Sequence, residues 1–288
     1  MVLDTFQLDH HAVEHYGDND IDDTFRLPGA HPLSALMLEW DLEDSTANVE
    51  SAIDSIDVEI AGESLFSGLD GSTMRNLIEW WRGRAEAAPA DGLTETHRLY
   101  IPFGRFPQDP NYMLPAHEFN ARLKIQGSRT TSDTLNALRV YVEQAFQVPD
   151  QIVTPKVSTP DDVTVGGGED WQVQGNPGRS LASLYLEAGN TDIVDGGRMQ
   201  VHNNNRQETV YEVERDVHQV WMLQERQIRD DVVDNTFLAF PYDRQRALKT
   251  AVPTGRNKAL RDFRIEGSAT SGATQADVEL LQEDYVVL

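Results

Sequence analysis

From Glu118 to Gln144 the chain reads EFNARLKIQGSRTTSDTLNALRVYVEQ, two runs with apolar residues at alternate positions around a polar turn. Leu123 and Ile125 flank Lys124 ahead of Gly127-Ser128, and Leu138, Val140 and Val142 alternate beyond it. A period of two predicts a pair of strands with one face buried. The chain closes on the same script: Phe263, Arg264 and Ile265 lead into Gly267-Ser268, and Val278 and Leu280 resume the alternation.

Earlier elements recur in the same order. LSALMLE (Leu33 to Glu39) is answered by LASLYLE (Leu181 to Glu187), an offset of 148 positions, against 140 at the Gly-Ser turns. Loop-length differences of that size cost little. DDTFRLPG (Asp22 to Gly29) pairs with EDWQVQGNPG (Glu169 to Gly178), and HRLYIPF (His97 to Phe103) with NTFLAFPY (Asn235 to Tyr242).

Between these landmarks each half reads strand, then helix. Ile53, Ile56, Val58 and Ile60 mostly alternate, and Met74, Leu77, Ile78 and Trp81 then fall at i, i+3, i+4 and i+7. That spacing predicts an amphipathic helix capped by Ser72 or Thr73. In the second half GGRMQVHNNN reads as the strand, and Val210, Val213, Val217 and Trp221 predict a helix within QETVYEVERDVHQVWMLQE.

The reading is an internal duplication. It divides the chain into an arm at 1–22, a first repeat at 23–147, a linker at 148–168 and a second repeat at 169–288. The linker rests on composition, since Val148 to Gly168 holds three prolines and three successive glycines. Its isolated apolar residues predict that it lies along a surface. Short strands with close turn signals and one helix per repeat disfavour βαβ winding and favour antiparallel sandwiches such as the eight-stranded jelly roll. The fold class predicted is all-β: two tandem eight-stranded antiparallel jelly rolls, a duplicated β-sandwich with a short helix in each. A chain of 288 residues is long enough for two cores.

Charge changes the picture of partners. Asp and Glu number 48 against 24 Lys and Arg, a net charge of −24 that is not confined to a tail. Such a field repels phosphate, so direct nucleic-acid binding is not expected. Lysine occurs only at Lys124, Lys156, Lys249 and Lys258. An acidic, lysine-poor surface suits molar salt, where screening shortens to about 3 Å, and points to a halophilic source. The absence of cysteine excludes disulfides, thiolate metal sites and thiol catalysis. The first residues lack the basic and apolar segments of a signal peptide, and no apolar run approaches a membrane span.

Candidate chemistry is sparse. His11 and His15 are spaced i, i+4 with His10, Asp9 and Glu14 nearby, as zinc ligands on a helix would be, but the glutamate is misplaced for H-E-x-x-H and a third ligand is lacking. A solvated tail or an arm contacting a neighbouring subunit is the simpler reading. GDNDIDD (Gly17 to Asp23) alternates oxygen ligands like a calcium loop but lacks the glycine and glutamate of an EF-hand, so it reads as a solvated acidic run. TVGGGEDW (Thr164 to Trp171) has no following Lys-Ser/Thr and reads as linker glycine rather than a phosphate loop. No G-x-S-x-G elbow is present, and His31, His97, His117, His202 and His218 are scattered singly rather than paired as H-x-H. Trp80, Trp81 and Trp221 read as core or subunit-contact residues in preference to a carbohydrate platform.

One resemblance is specific. VEIAGESLF (Val58 to Phe66), LYIPFGRF (Leu99 to Phe106) and MLPAHEFNARLKI (Met113 to Ile125) follow one another around a helix. This order is similar to that in the double jelly-roll major capsid proteins of tailless icosahedral viruses with an internal membrane. The resemblance covers about 70 residues well, and the duplicated plan extends it. Many members are longer, so outward tower loops must be short here.

The resemblance implies a structural virion protein: homotrimers forming pseudo-hexameric capsomers that tile a shell over the viral membrane. It implies no catalytic residue, no cofactor-binding residue and no metal ligand that can be assigned, with structural calcium left open. Partners would be copies of itself, neighbouring capsomers, other capsid, vertex and membrane-associated virion proteins, and the nearby membrane. The location would be the virion shell, made in the host cytoplasm. The alternatives are a halophile's two-sandwich carbohydrate-active or carbohydrate-binding protein and a minor capsid or vertex protein.

Overall fold

A computed structural model describes residues 8–12, 21–43, 53–82, 96–103, 112–127, 134–145, 152–158, 169–174, 179–188, 198–203, 206–212, 237–241, 252–254, 260–267 and 278–287. The chain divides into two units, one of Met1–Arg82, Glu86–Pro155 and Val287–Leu288, the other of Gly83–Ala85 and Lys156–Val286.

Unit one holds β1 (Leu8–Ala12), β2 (Ile21–Arg26), β3 (Leu33–Glu43), β4 (Ser55–Ile60), β5 (Glu63–Leu69), α1 (Gly71–Arg82), β6 (Thr96–Pro102), β7 (Ala121–Gly127) and β8 (Thr134–Gln144). Strands β1-β8-β3-β6 neighbour one another in one sheet and β2-β7-β4-β5 in another, and each of these pairs is antiparallel. The pairs β1 with β8, β2 with β7, β3 with β6 and β4 with β5 are those of a long hairpin, β1 to β4 against β5 to β8. Rolling such a hairpin up drops alternate pairs into opposite sheets, which is the jelly-roll topology.

The alternation read from the sequence fills the space between the sheets. Leu36 and Leu38 pair with Val142 and Val140 on one side and with Ile101 and Leu99 on the other. All six are at most 1% exposed. Ile56, Val58, Leu123 and Ile125 are fully buried in the second sheet. Phe66 on β5 stacks on Phe103, with ring centroids 6.0 Å apart and planes 13° apart, and meets Trp81 of α1 at 6.2 Å.

Helix α1 buries Met74, Leu77, Ile78 and Trp81, as the periodicity predicts, and Trp80 as well. Its cap differs from the expectation. The Asp70 carboxylate accepts from the Thr73 backbone N–H at 2.7 Å, so Asp70 is the cap, not Ser72 or Thr73. Asp and Ser cap equally well, so the sequence could not choose between them. Ile53 to Phe66 contains a turn that the alternation hid: β4 and β5 pair with Ile60 opposite Glu63. Ala61 and Gly62 close the hairpin at φ 52° and 84°, both positive as in a type I′ turn. Alanine is poorly suited to that region, and Asn-Gly is the preferred pair. Ala61→Asn is therefore expected to stabilise unit one by about 0.5–1 kcal/mol, read as an upward shift of its urea midpoint; a downward shift would contradict the turn assignment.

Strand β9 (Val153–Ser158) runs across the division between the units, and unit two follows with β10 (Glu169–Gln174), β11 (Arg179–Ala188), β12 (Arg198–Asn203), β13 (Arg206–Glu212), β14 (Phe237–Pro241), β15 (Val252–Thr254), β16 (Leu260–Gly267) and β17 (Val278–Val287). Its orders are β10-β16-β12-β13 and β9-β17-β11-β14, with β15 added against β11. Two ladders, β10 with β16 and β11 with β17, repeat β2 with β7 and β3 with β8 residue for residue where both are formed. Leu36 opposite Val142 becomes Leu184 opposite Gln282, and Phe25 opposite Leu123 becomes Val173 opposite Phe263. These are the 148 and 140 offsets of the sequence.

Three expectations change. The arm at 1–22 contributes β1, whose backbone completes the sheet against β8. Within the stretch of linker composition, Val153 to Ser158 form β9. Ile152 and Val153 are buried, and the Met113 N–H donates to Val153 O at 3.1 Å while Thr154 Oγ1 donates to Met113 O at 2.7 Å. Apolar residues among prolines here supply an ordered strand. Residues Arg206 to Glu212, with Val210, form β13 rather than the start of a second helix. Thr209, Val210 and Tyr211 have strand propensity, and pairing with β12 realises it. Val213, Val217 and Trp221 lie outside the described residues.

Candidate functional site

Residues of β3 whose neighbours point into the core alternate with Ala35, Met37 and Glu39, which share the sheet's other face. Glu39 lies directly opposite Arg98 on β6 and Arg139 on β8. It accepts from Arg98 Nε at 2.7 Å, Arg139 Nη1 at 3.0 Å and the Tyr141 hydroxyl at 3.2 Å. Burial pushes the Glu39 pKa up, but hydrogen bonds from Arg98, Arg139 and Tyr141 outweigh it, and the net direction is down. The same environment raises Tyr141, first through burial and then through the charge of Glu39. Because the Arg98 side chain is 60% exposed, solvent screens much of this pairing, and its role is to fix strand register more than to add stability.

Along the same face the Tyr100 hydroxyl donates to the Glu143 carboxylate. Tyr100 is on β6 and Glu143 on β8, so the bond reaches across β3, where Ala35 lies opposite Glu143. Burial, then the hydrogen bond and charge of Glu143, raise the Tyr100 pKa well above the tyrosine range. The Arg82 guanidinium sits 4.6 Å over the Tyr100 ring, a cation–π contact tying α1 to the sheet.

Unit two rebuilds this clamp by another route. Ser183 lies opposite Glu283 as Ala35 lies opposite Glu143. The donor to Glu283 is Tyr185 of β11, the equivalent of Met37, while the equivalent of Tyr100 is Ala239 on β14. The large tyrosine and its smaller cross-strand neighbour have exchanged strands, yet the acceptor glutamate and its hydroxyl donor persist. Sequence reading missed both clamps. Their one signal was Glu143 and Glu283 falling on equivalent positions of the repeat.

The other candidates separate. His10 and His11 are successive residues of strand β1, opposite Tyr141 and Val140; Glu14 and His15, with which the i, i+4 spacing was read, lie outside the described residues. Asp22 and Asp23 belong to strand β2 rather than to a loop, and Asp18 and Asp20 are not described. Asp22 Oδ1 accepts from Gln126 Nε2 at 3.1 Å. Glu169 to Trp171 open β10, while Thr164 to Gly168 are not described. Trp80 and Trp81 are 4% and 8% exposed, packing residues and not a sugar platform. His31 is half-buried. His97 lies opposite Trp40 and His202 opposite Gln207 and Asp262, on separate sheets. His117 is 16% exposed with the Glu118 carboxylate 3.5 Å from Nε2, an ion-pair distance without hydrogen-bond geometry, since neither ring nitrogen has a hydrogen-bond partner among the described residues. His218 is not described. Among the described residues no three His, Asp or Glu gather as a metal site, and no helix is long and apolar enough to cross a membrane.

Asp23 stands apart. It pairs with Ile125 in the ladder of β2, which ends its sheet order. Its Oδ2 is buried without a hydrogen-bond partner among the described residues, and burial raises its pKa above the usual 3.8. A raised folded pKa contributes stability below the ordinary value, and this is lost as pH rises through the folded one. Asp23→Asn is expected to raise the melting temperature at neutral pH and leave it unchanged at pH 3. A lower neutral melting temperature would show that the ionised carboxylate has a partner. A charge turned inward on an edge strand also discourages pairing with other strands.

The fold defines the class: a double jelly roll, two copies of one rolled hairpin in a single chain. No protein-family model matches the chain and no curated protein matches it in sequence. Solved structures do match in fold. The major capsid protein P2 from Bacteriophage PM2 is similar with a TM-score of 0.67 at 10% identity, over 98% of both chains. The major capsid protein of STIV, the Sulfolobus Turreted Icosahedral Virus, gives 0.68 at 11% identity, over 98% of this chain and 96% of that one. A chain of the PBCV-1 virus capsid gives 0.60 at 11% identity, over 100% and 95%. The chain has the double jelly-roll fold of viral major capsid proteins, which the motifs Val58 to Phe66, Leu99 to Phe106 and Met113 to Ile125 had suggested.

Proposed function

We propose that this protein is a major capsid protein whose trimers form pseudo-hexameric capsomers of an icosahedral virion shell over an internal membrane. The observation that carries the reading is the repetition of one ladder register in both units, in a chain similar over nearly its whole length to capsid proteins. Two equivalent units per chain let three chains present six similar edges, so a near-hexagonal tile needs only three copies. Its partners are then its own copies and other virion proteins, its location is the shell, and its role is structural, not catalytic. The division into an arm at 1–22, a first roll at 23–147, a linker at 148–168 and a second roll at 169–288 belongs to this reading, with β1 of the arm and β9 of the linker each adding a strand to a roll. The net charge of −24 suits assembly in molar salt and argues against direct genome contact.

Light scattering on the purified chain in molar salt tests it. Three chains of 32.3 kDa give a species of about 97 kDa, which should go on to sheets or particles visible by electron microscopy. A strict monomer at every concentration would overturn the capsomer.

A further inference from the structure

The duplication allows equivalent surfaces to be compared within one chain. On the outer face of the β17-β11-β14 sheet, Tyr185 and Leu281 are fully buried, Ala239 is 2% exposed and Glu283 is 5% exposed. Their equivalents on the β8-β3-β6 sheet are Met37, Tyr141, Tyr100 and Glu143, in that order, and all four are only half-buried. Beside them the Arg98 side chain is 60% exposed. The same face of the same fold is thus closed to water in unit two and partly open in unit one.

The open face has the makings of a contact surface. Tyrosine, methionine and arginine are enriched in interface cores, while lysine is depleted, and this face carries the first three and no lysine. The carboxylates of Glu39 and Glu143 are already hydrogen-bonded in place, Glu39 to Arg98, Arg139 and Tyr141, and Glu143 to the Tyr100 hydroxyl. Covering it would therefore leave neither of these two carboxylates without a hydrogen-bond donor. The exposed guanidinium of Arg98 is an attractive charge for any surface of a chain at −24. Contacts buried on association are screened by salt far less than exposed ones.

We propose that the outer face of the β8-β3-β6 sheet docks a second copy of this chain, which closes it in the assembly as the equivalent face of unit two is closed within the chain. The contact is heterologous, one face against a different surface of the next copy, the kind that builds rings when its rotation closes. This inference rests on the capsid reading but names the surface that it uses.

The chain has no cysteine, so a single introduced thiol is a unique probe. Arg98→Cys and, as a second position on the same face, Met37→Cys would be treated with a maleimide at concentrations below and above assembly. Protection of either thiol by at least tenfold on assembly is the expected result, as is a folded variant that no longer assembles where the wild type does. Labelling at the monomer rate inside assembled particles would overturn this proposal and leave the capsid reading standing. Protection seen only in particles containing a different virion protein would also overturn it. A wild-type chain that never assembles would overturn both.

Discussion

Replacing Phe66 by alanine is expected to destabilise unit one by about 3–5 kcal/mol, the range for deleting a buried aromatic ring from a close-packed core. Phe66 is fully buried and lies between Phe103 and Trp81. It is the point where β5, the residue after β6 and the last turn of α1 meet. The ring cannot be replaced by the collapse of one neighbour, because each neighbour belongs to a different element held by its own hydrogen bonds. Urea unfolding followed by far-ultraviolet circular dichroism in molar salt would measure the loss. A change below about 1 kcal/mol would mean that the site is far less tightly packed than the ring geometry indicates.

The second large effect separates the two clamps. Tyr185→Phe removes the hydroxyl donor from a carboxylate that is 5% exposed, next to a ring that is fully buried. Water cannot easily take its place, and a loss of about 2–3 kcal/mol is expected. Tyr100→Phe makes the same chemical change where both partners are half-buried, and water can hydrate Glu143, so about 1 kcal/mol is expected. Thermal melts of the two variants side by side check the order. Equal losses would show that the burial difference between the units does not govern the clamps, and with it would go the argument that one face is closed and the other open.

Much of the architecture was legible because strand periodicity is a local property. Leu123, Ile125, Val140 and Val142 could be assigned to buried faces from alternation alone, and the core of unit one consists of such residues. The offsets 148 and 140 were also in the sequence, and they reappear as ladder equivalences between β3 with β8 and β11 with β17. Where periodicity was weak the reading failed. β1 reads LDHHA and β9 reads VTPKVS, neither with a clean alternation, and both are strands because a neighbouring strand supplies their hydrogen bonds. Val210 fitted a helical stripe that pairing with β12 overrode.

By itself, then, the sequence determined the all-β class, the duplication, the burial pattern of the central strands and the helix over Met74 to Trp81. Each follows from spacing along a few residues of chain. The tertiary structure alone decided that Tyr100 reaches Glu143 over Ala35, that Tyr185 serves Glu283 in its stead, and that one of two equivalent faces is open. Those facts depend on register between residues as distant along the chain as Arg179 and Val286, and a local pattern carries no information about which residue ends up across the sheet.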